Sequence, residues 1–200
     1  MIRRRRMVRN YDPDRPVPAE TVAKLLEYAT HAPSAGFSQG WEFLLLDTPA
    51  DVERFWAVTT PEDQLNSGWM QGMSRAPVIV VPLSHRDAYL DRYAQPDKGW
   101  TDRDEARWPV PYWHIDTGMA SLLVLLGAVD EGLSACFFGI TPEFMGQFKQ
   151  EFGVPEAYTP IGAMTIGYRA PDTKSPSLKR GRRESHTVTH RGQWGATADL

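Results

Sequence analysis

The residues of this 200-residue chain that could do chemistry are, first of all, arginines. Seventeen of its 22 basic residues are Arg, and they crowd into two places: Arg3, Arg4, Arg5, Arg6 and Arg9 at the start, and Arg180, Arg182 and Arg183 near the end. A guanidinium stays charged and offers paired donors to phosphate oxygens, so each cluster reads as a candidate anion site. Neither G-x-G-x-x-G nor G-x-x-x-x-G-K-[ST] occurs, so a phosphorylated cofactor would have to be held by arginines rather than by a glycine loop. A solvated basic arm or nucleic-acid tail is the competing reading of residues 3–6. Against it, Met7, Val8, Arg9, Asn10 and Tyr11 run into the first helix without a flexible spacer.

Other candidates are weaker. His186 and His190 lie four apart, which on a helix would put two imidazoles on one face. The intervening Thr187-Val188-Thr189 predicts a strand instead, where four residues span about 13 Å, so no metal site is expected. Gly132-Leu133-Ser134-Ala135-Cys136 has the look of a nucleophile elbow, but it follows a helix and enters a strand, the reverse of what that motif needs. Cys136, the only cysteine, reads as a small buried hydrophobe and excludes an intramolecular disulfide.

The elements that must position these groups follow from periodicity. Val22, Leu25, Leu26 and Ala29 form one helical stripe in a helix opening at residues 17–20 and ending before Pro33. A loop over residues 32–40 leads to a buried strand at 41–46, a short helix at 51–58 and a second buried strand at 77–83, both strands continuously apolar. Residues 84–114 lose all periodicity while carrying Tyr89, Tyr93, Trp100, Trp108, Tyr112 and Trp113, and read as an aromatic-rich insertion or lid. Asp116 or Thr117 is the expected cap of a helix that is apolar all round over 119–129, hence central, and that Gly132 ends. A strand at 133–140, a helix at 142–152 and a strand at 161–168 complete the core. The polar stretch after Ala170 ends in an extended segment at 187–189 and needs a partner surface.

Composition bounds the rest. With 42% hydrophobic residues, 24% charged residues and a net charge of -3, residues 1–200 should form a single domain, burying roughly 70% of the unfolded surface. A pI near 6.0 gives no bulk attraction to nucleic acid. The richest apolar stretch, 120–129, is shorter than the ~18 residues of a membrane span, so no membrane association is expected. No apolar stretch follows the N-terminal arginines as an export signal requires, and the expectation is a cytoplasmic protein.

In order along the chain, several motifs resemble those of the flavin-dependent nitroreductase family. Arg5-Arg6-Met7-Val8-Arg9-Asn10-Tyr11 is similar to its R-R-S-x-R-x-[YF] opening, and Ala32-Pro33-Ser34-Ala35 with Gln39 and Trp41 to its A-P-S-A-x-N-x-Q-P-W loop. Gly132-Leu133 through Phe138-Gly139 resembles its G-L-G-x-x-W-x-G strand, residues 160–168 its late strand ending in I-G-Y, and Arg180-Gly181-Arg182 its K-x-R.

The resemblance implies an α+β fold with a central, mainly antiparallel sheet flanked by helices. It also implies a homodimer with FMN at the interface and a C-terminal extension, residues 170–200, wrapping onto the partner. It implies a ping-pong reaction in which NAD(P)H reduces the flavin at N5 and a nitroaromatic, quinone or activated alkene reoxidises it. Catalysis would then be centred on the flavin, with no essential side-chain base. Arg5, Arg6, Arg180 and Arg182 match phosphate and ribityl ligands, with Arg4 an alternative to Arg5. Arg9 matches a cation beside flavin N1 and O2, where it would stabilise the reduced ring. Pro33, Ser34 and Ala35, with Gln39, match the flavin-lining loop of the other subunit, and Phe138 and Gly139 the strand end at N5. The aromatic segment gives Tyr93, Trp108, Tyr112 and Trp113, with Phe37, as candidate acceptor-binding residues.

The chain also departs from the pattern. Met7 stands for the usual Ser, Phe37 for Asn and Gly40 for Pro, and little precedes the arginines where the family has a leading helix. Sibling activities of the same fold, such as dehalogenation, flavin fragmentation or azoline oxidation, and a non-catalytic flavin store remain open on the sequence.

Overall fold

The structure, a computed structural model, describes residues 1–66 and 68–197. Its frame is an antiparallel sheet of β1 (Trp41–Leu46), β2 (Val78–His85), β3 (Ser134–Phe138), β4 (Tyr158–Pro160) and β5 (Ala163–Gly167) in the order β1-β2-β5-β3. β4 lies on the β2 edge ahead of β5. Along β2, Val78 and Val80 face one core and Ile79 and Val81 the other. The strands read as continuous apolar runs because both faces of the sheet are covered. α1 (Ala19–Thr30) and α6 (Tyr112–Asp130) cover the first face. α2 (Pro49–Thr59), α4 (Met70–Met73) and α7 (Pro142–Glu151) cover the second, with the short α3 (Glu62–Leu65) between α2 and α4.

The expected elements recur with instructive exceptions. Residues 84–114 are not structureless: α5 (Arg86–Tyr93) and the first turn of α6 lie within them. α5 escapes periodicity because its buried residues, Tyr89 and Leu90, are adjacent rather than a helical turn apart. The late strand expected at 161–168 is narrower, β5, and begins after Gly162, whose missing side chain lets the chain cross close to Phe137 and the Phe138 carbonyl.

α6 corrects three expectations. It begins at Tyr112 behind Pro111, so Asp116 and Thr117 are not caps but buried residues inside it. The Thr117 hydroxyl donates to Trp113 O (2.7 Å), a back-bond within the helix, and the Asp116 carboxylate is used by other elements. Including residues 112–118, the helix is long and apolar enough by length and composition to cross a membrane, although half of that segment is buried inside the fold. Nor is it covered all round, because Ile115 (42%) and Leu122 (46%) remain exposed on its outer side. Its end is as expected. Gly132, at φ 73°, turns the chain, Leu133 N–H donates to Ala128 O (2.7 Å) and Gly132 N–H to Val129 O (3.4 Å).

The polar extension after Ala170 forms single turns at Pro176–Arg180 and Ser185–Thr187, not the extended strand predicted at 187–189. β-branched residues favour a strand only where another strand receives them, and among the described residues no strand pairs with 187–189. Leu178, Val188 and Trp194 of this extension are exposed.

Two polar networks, around buried Tyr11 and half-buried His114, tie the layers together. Tyr11 is fully buried, and its hydroxyl donates to Val8 O (2.8 Å) and lies within hydrogen-bond distance of Thr165 O and Oγ1 (3.2 and 3.0 Å). Removing it in Tyr11→Phe leaves buried acceptors unpaired, which should cost about 1–3 kcal/mol, read as a lower midpoint in urea unfolding. At the start of α6 the Trp113 indole N–H donates to His114 Nε2 (3.2 Å). The His114 proton therefore sits on Nδ1, bonded to Ser84 Oγ (2.7 Å), which donates to Thr159 O (3.2 Å). Burial lowers the His114 pKa below its usual 6.5, offset in part by the charge of Glu105. The folded chain then holds fewer protons than the unfolded chain between that lowered value and 6.5, so stability rises with pH across this window and is lost as pH falls through it. The drop in Tm from pH 7 to pH 5 should be smaller in His114→Gln than in the wild type.

Candidate functional site

The site is built on residues 7–12, which lie along the sheet rather than trailing from it. Met7 bridges Ala135 of β3, Val8 N–H donates to Ala135 O (3.2 Å), and Asp12 N–H donates to Tyr168 O (2.9 Å). Residues 170–172 then fold over this segment. Ala170 N–H donates to Asn10 O (3.1 Å), Asn10 Nδ2 to Pro171 O (2.7 Å) and Arg9 N–H to Asp172 Oδ2 (3.0 Å). Between them and α4 opens a cavity of about 660 Å³, whose wall includes Arg9, Arg75, Lys174, Asp172, Trp69 and Phe138. Three cations against one carboxylate make it an anion-favouring space.

Its packing is tight where the chain turns inward. A Cβ added at Gly72 of α4 would sit 2.2 Å from Arg9 O and 3.0 Å from Asn10 Oδ1, so only glycine lets α4 approach this segment so closely. Phe138 is held by stacking on Trp56 of α2, ring centroids 5.5 Å apart and 10° from parallel. Of the four polar side-chain atoms buried without a partner among the described residues, two belong to the N-terminal segment, Asn10 Oδ1 and Arg5 Nη1. Unpaired buried groups of this kind are rare and suit a bound molecule that completes them. Burial also raises the Cys136 thiol pKa, with Arg9 and Arg5 pulling it down and Asp172 pushing it up, so the cysteine is a thiol beside the site rather than a reactive thiolate.

The sequence-predicted residues fall into three groups. Arg9 and Phe138 line the cavity, whereas Arg5 is half-buried and absent from its wall. Met7 turns inward, where its sulfur accepts the Phe137 N–H (3.4 Å), so this side chain serves the sheet. Arg6, Gly139, Arg180 and Arg182 are exposed. Pro33, Ser34, Ala35 and Gln39 are absent from the cavity wall and belong to a second constellation. The sequence reading missed Trp69, Gln71, Gly72 and Arg75, because four-residue α4 is too short to show periodicity, and Asp172 and Lys174, which lie in a polar stretch without pattern.

The second constellation is the loop of residues 33–40 against α5 and α6. Asp116, 1% exposed, accepts the Ala35 N–H (2.8 Å) and the Tyr89 O–H (2.9 Å) through the same oxygen. Gln39 N–H donates to Ser34 Oγ (2.8 Å), and Arg92 Nε to Gly36 O (2.9 Å). Phe37 projects from this loop, 73% exposed. Beside it the aromatic residues of 84–114 gather around Trp108, whose ring centre lies 4.6 Å from that of Tyr93, 5.5 Å from Trp100, 5.6 Å from Tyr112 and 6.3 Å from Trp113. Of the predicted acceptor-binding residues, Trp113 is buried, Tyr93 and Trp108 are half-buried, and Tyr112 and Phe37 reach the surface.

Comparison with known proteins bears on the family and the fold. The sequence pattern of the Nitroreductase family matches residues 2–168. A Bacillus subtilis (strain 168) protein provisionally named NAD(P)H nitroreductase YdgI is 41% identical over 184 residues, 83% of this chain and 85% of that protein. Among solved structures, an FMN-dependent nitroreductase from Clostridium difficile R20291 superposes with a TM-score of 0.66 at 20% identity, covering 97% of this chain and all of that one. A provisionally named nitroreductase from Exiguobacterium sibiricum 255-15, solved in complex with FMN, superposes with a TM-score of 0.63 at 22% identity, covering 92% and 95% of the two chains. At such identities the structural likeness is one of fold.

Proposed function

Because the chain belongs to the nitroreductase family, we propose that it is an FMN-dependent NAD(P)H oxidoreductase that reduces flat, electron-poor acceptors such as nitroaromatics, quinones or activated alkenes. The observation that carries this reading is the cationic cavity of about 660 Å³ lined by Arg9, Asn10 and Phe138, with Asn10 Oδ1 and, in the same N-terminal segment, Arg5 Nη1 buried and unpaired. These groups fit a planar ring system with a phosphate: aromatic side chains for the ring, polar atoms for its edge and guanidiniums for the anion. Bound FMN would supply the redox chemistry, carrying two electrons as hydride between NAD(P)H and the acceptor.

The chain's own residues bind and orient. Arg5 and Arg6, joined by Arg180 and Arg182 of the extension, hold the phosphate and ribityl chain. Arg9 stabilises negative charge at the ring edge, with Asp172 moderating the field. Phe138 and Gly139 bound the reacting edge. We further propose a homodimer in which Pro33, Ser34, Ala35 and Gln39 of one protomer close the ring pocket of its partner. In support, these residues are absent from the cavity wall of their own chain, Ile115 and Leu122 of α6 are exposed, and the extension presents Leu178, Val188 and Trp194 to solvent. Phe37, Tyr93, Trp108, Tyr112 and Trp113 form the acceptor-binding surface, with Trp108 as the packed centre and Phe37 and Tyr112 at the edge. A single cysteine, buried and unpaired, suits residence in the cytoplasm.

The purified protein, incubated with FMN and desalted, should stay yellow and bleach anaerobically with NADH or NADPH. Arg9→Ala should weaken FMN binding about 10- to 100-fold, the loss of a charge-assisted contact of about 1.5–3 kcal/mol, measured by flavin fluorescence titration. A protein that stays colourless overturns the reading; one that binds FMN but bleaches with neither nucleotide is a flavin-binding protein instead.

A further inference from the structure

The loop of residues 33–40 holds an unusual backbone. Gly36 (φ 61°), Phe37 (φ 55°) and Gln39 (φ 50°) are all left-handed, and two of them carry side chains that disfavour it. Such a conformation persists only where its surroundings over-determine it. What surrounds it is a fan of hydrogen bonds converging on one buried group. Asp116 Oδ2 accepts both the Ala35 N–H (2.8 Å) and the Tyr89 O–H (2.9 Å), and Ser34 Oγ lies 3.4 Å from the same Tyr89 hydroxyl. The other ties, Ser34 Oγ to Gln39 N–H, Ser38 Oγ to Ala35 O and Arg92 to Gly36 O, fix the loop's shape or its outer rim. The carboxylate and Tyr89 fasten the start of the loop to α6 and α5, and Arg92 of α5 holds its middle.

An ionised carboxylate costs free energy to bury and contributes little to helix packing that an apolar residue would not. Its return here is geometric, because a charged acceptor on α6 fixes an amide 81 positions earlier in the chain. We propose that Asp116 is a positioning residue, whose carboxylate, through Ala35 and Tyr89, holds the 33–40 loop in the one conformation that can form a wall of the flavin pocket. The inference rests on the FMN-dependent reading above, in which that loop serves the partner's site. Asp116 touches neither cofactor nor substrate; it acts through the loop.

The test combines amide hydrogen exchange of the full-length protein with FMN titration and the visible spectrum of the bound flavin. Asp116→Ala should speed exchange across the loop, leave exchange in α1 unchanged, weaken FMN binding about 10-fold and shift the flavin spectrum. Asp116→Asn, whose amide oxygen can accept both hydrogen bonds from the same place, should restore most of the binding and the spectrum. Should Asp116→Ala fail to fold, Tyr89→Phe carries the test, since it removes one of the two donors without touching charge and should act in the same direction by less. Loop exchange that does not change, or faster exchange with FMN affinity and spectrum unaltered, overturns the proposal while the functional reading stands. A wild type that binds no FMN overturns the functional reading, and with it the flavin role of Asp116.

Discussion

The cavity exists because a cationic strand of chain is fixed to a sheet, and the fixing group is the Tyr11 hydroxyl. Left in solvent, Arg3, Arg4, Arg5, Arg6 and Arg9 would spread apart, since like charges near a protein surface repel by a few kcal/mol at contact distances. Here Tyr11 reaches through the layer to Val8 O and Thr165, the Val8 amide joins β3, and the Asn10 carbonyl receives residue 170. The backbone is thereby set before any anion arrives, and Arg9 and the half-buried Arg5 start from fixed roots. A ligand then meets part of its ordering cost already met by the fold, which is how a site without a glycine-rich loop can still grip an anion.

The same economy leaves one surface unfinished. Both faces of the sheet are covered, one by α1 and α6 and the other by α2, α4 and α7, so the core itself needs nothing more. The outer side of α6 does. A helix apolar on every side belongs inside a protein, yet Ile115 and Leu122 stay over two-fifths exposed. The extension adds Trp194, 90% exposed and in contact with the His190 ring of the same arm. Scattered apolar residues need no explanation, but apolar positions along one helix and an aromatic on an unpacked arm suit a second chain. The proposed dimer answers both observations with one contact.

How much of this was legible in the sequence depended on whether the signal was local. β1 is found at its predicted bounds and β2, β3, α1, α2 and α7 within a few residues, because two-sided burial writes a continuous apolar run and one-sided burial a helical stripe. α4 and α5 were not legible, one being too short and the other having adjacent buried residues. Asp116 misled because an acidic residue ahead of an apolar run looks the same whether it caps a helix or receives donors from 27 and 81 positions away. In the site, Arg9 and Phe138 were legible by resemblance to a family pattern. Gly72, Trp69 and Asp172 were not, because their role comes from where α4 and the strap over residue 9 meet.

Buried polar groups in this fold sort by whether the chain itself answers them. Tyr11, Ser84, Asp116, Thr117 and Ser121 all find partners, and each of those hydrogen bonds holds one element against another or closes a helical turn. Among the described residues, four polar side-chain atoms are buried and unanswered. Two are the indole N–H groups of Trp56 and Trp108, each set among aromatic rings, whose faces are weak acceptors. The remaining two, Arg5 Nη1 and Asn10 Oδ1, belong to the N-terminal segment behind the cavity, and Asn10 is part of its wall. Leaving a buried guanidinium nitrogen unpaired costs about 1–3 kcal/mol or more. The answered groups hold the protein's shape, and the two unanswered ones fit the anion site proposed for this segment.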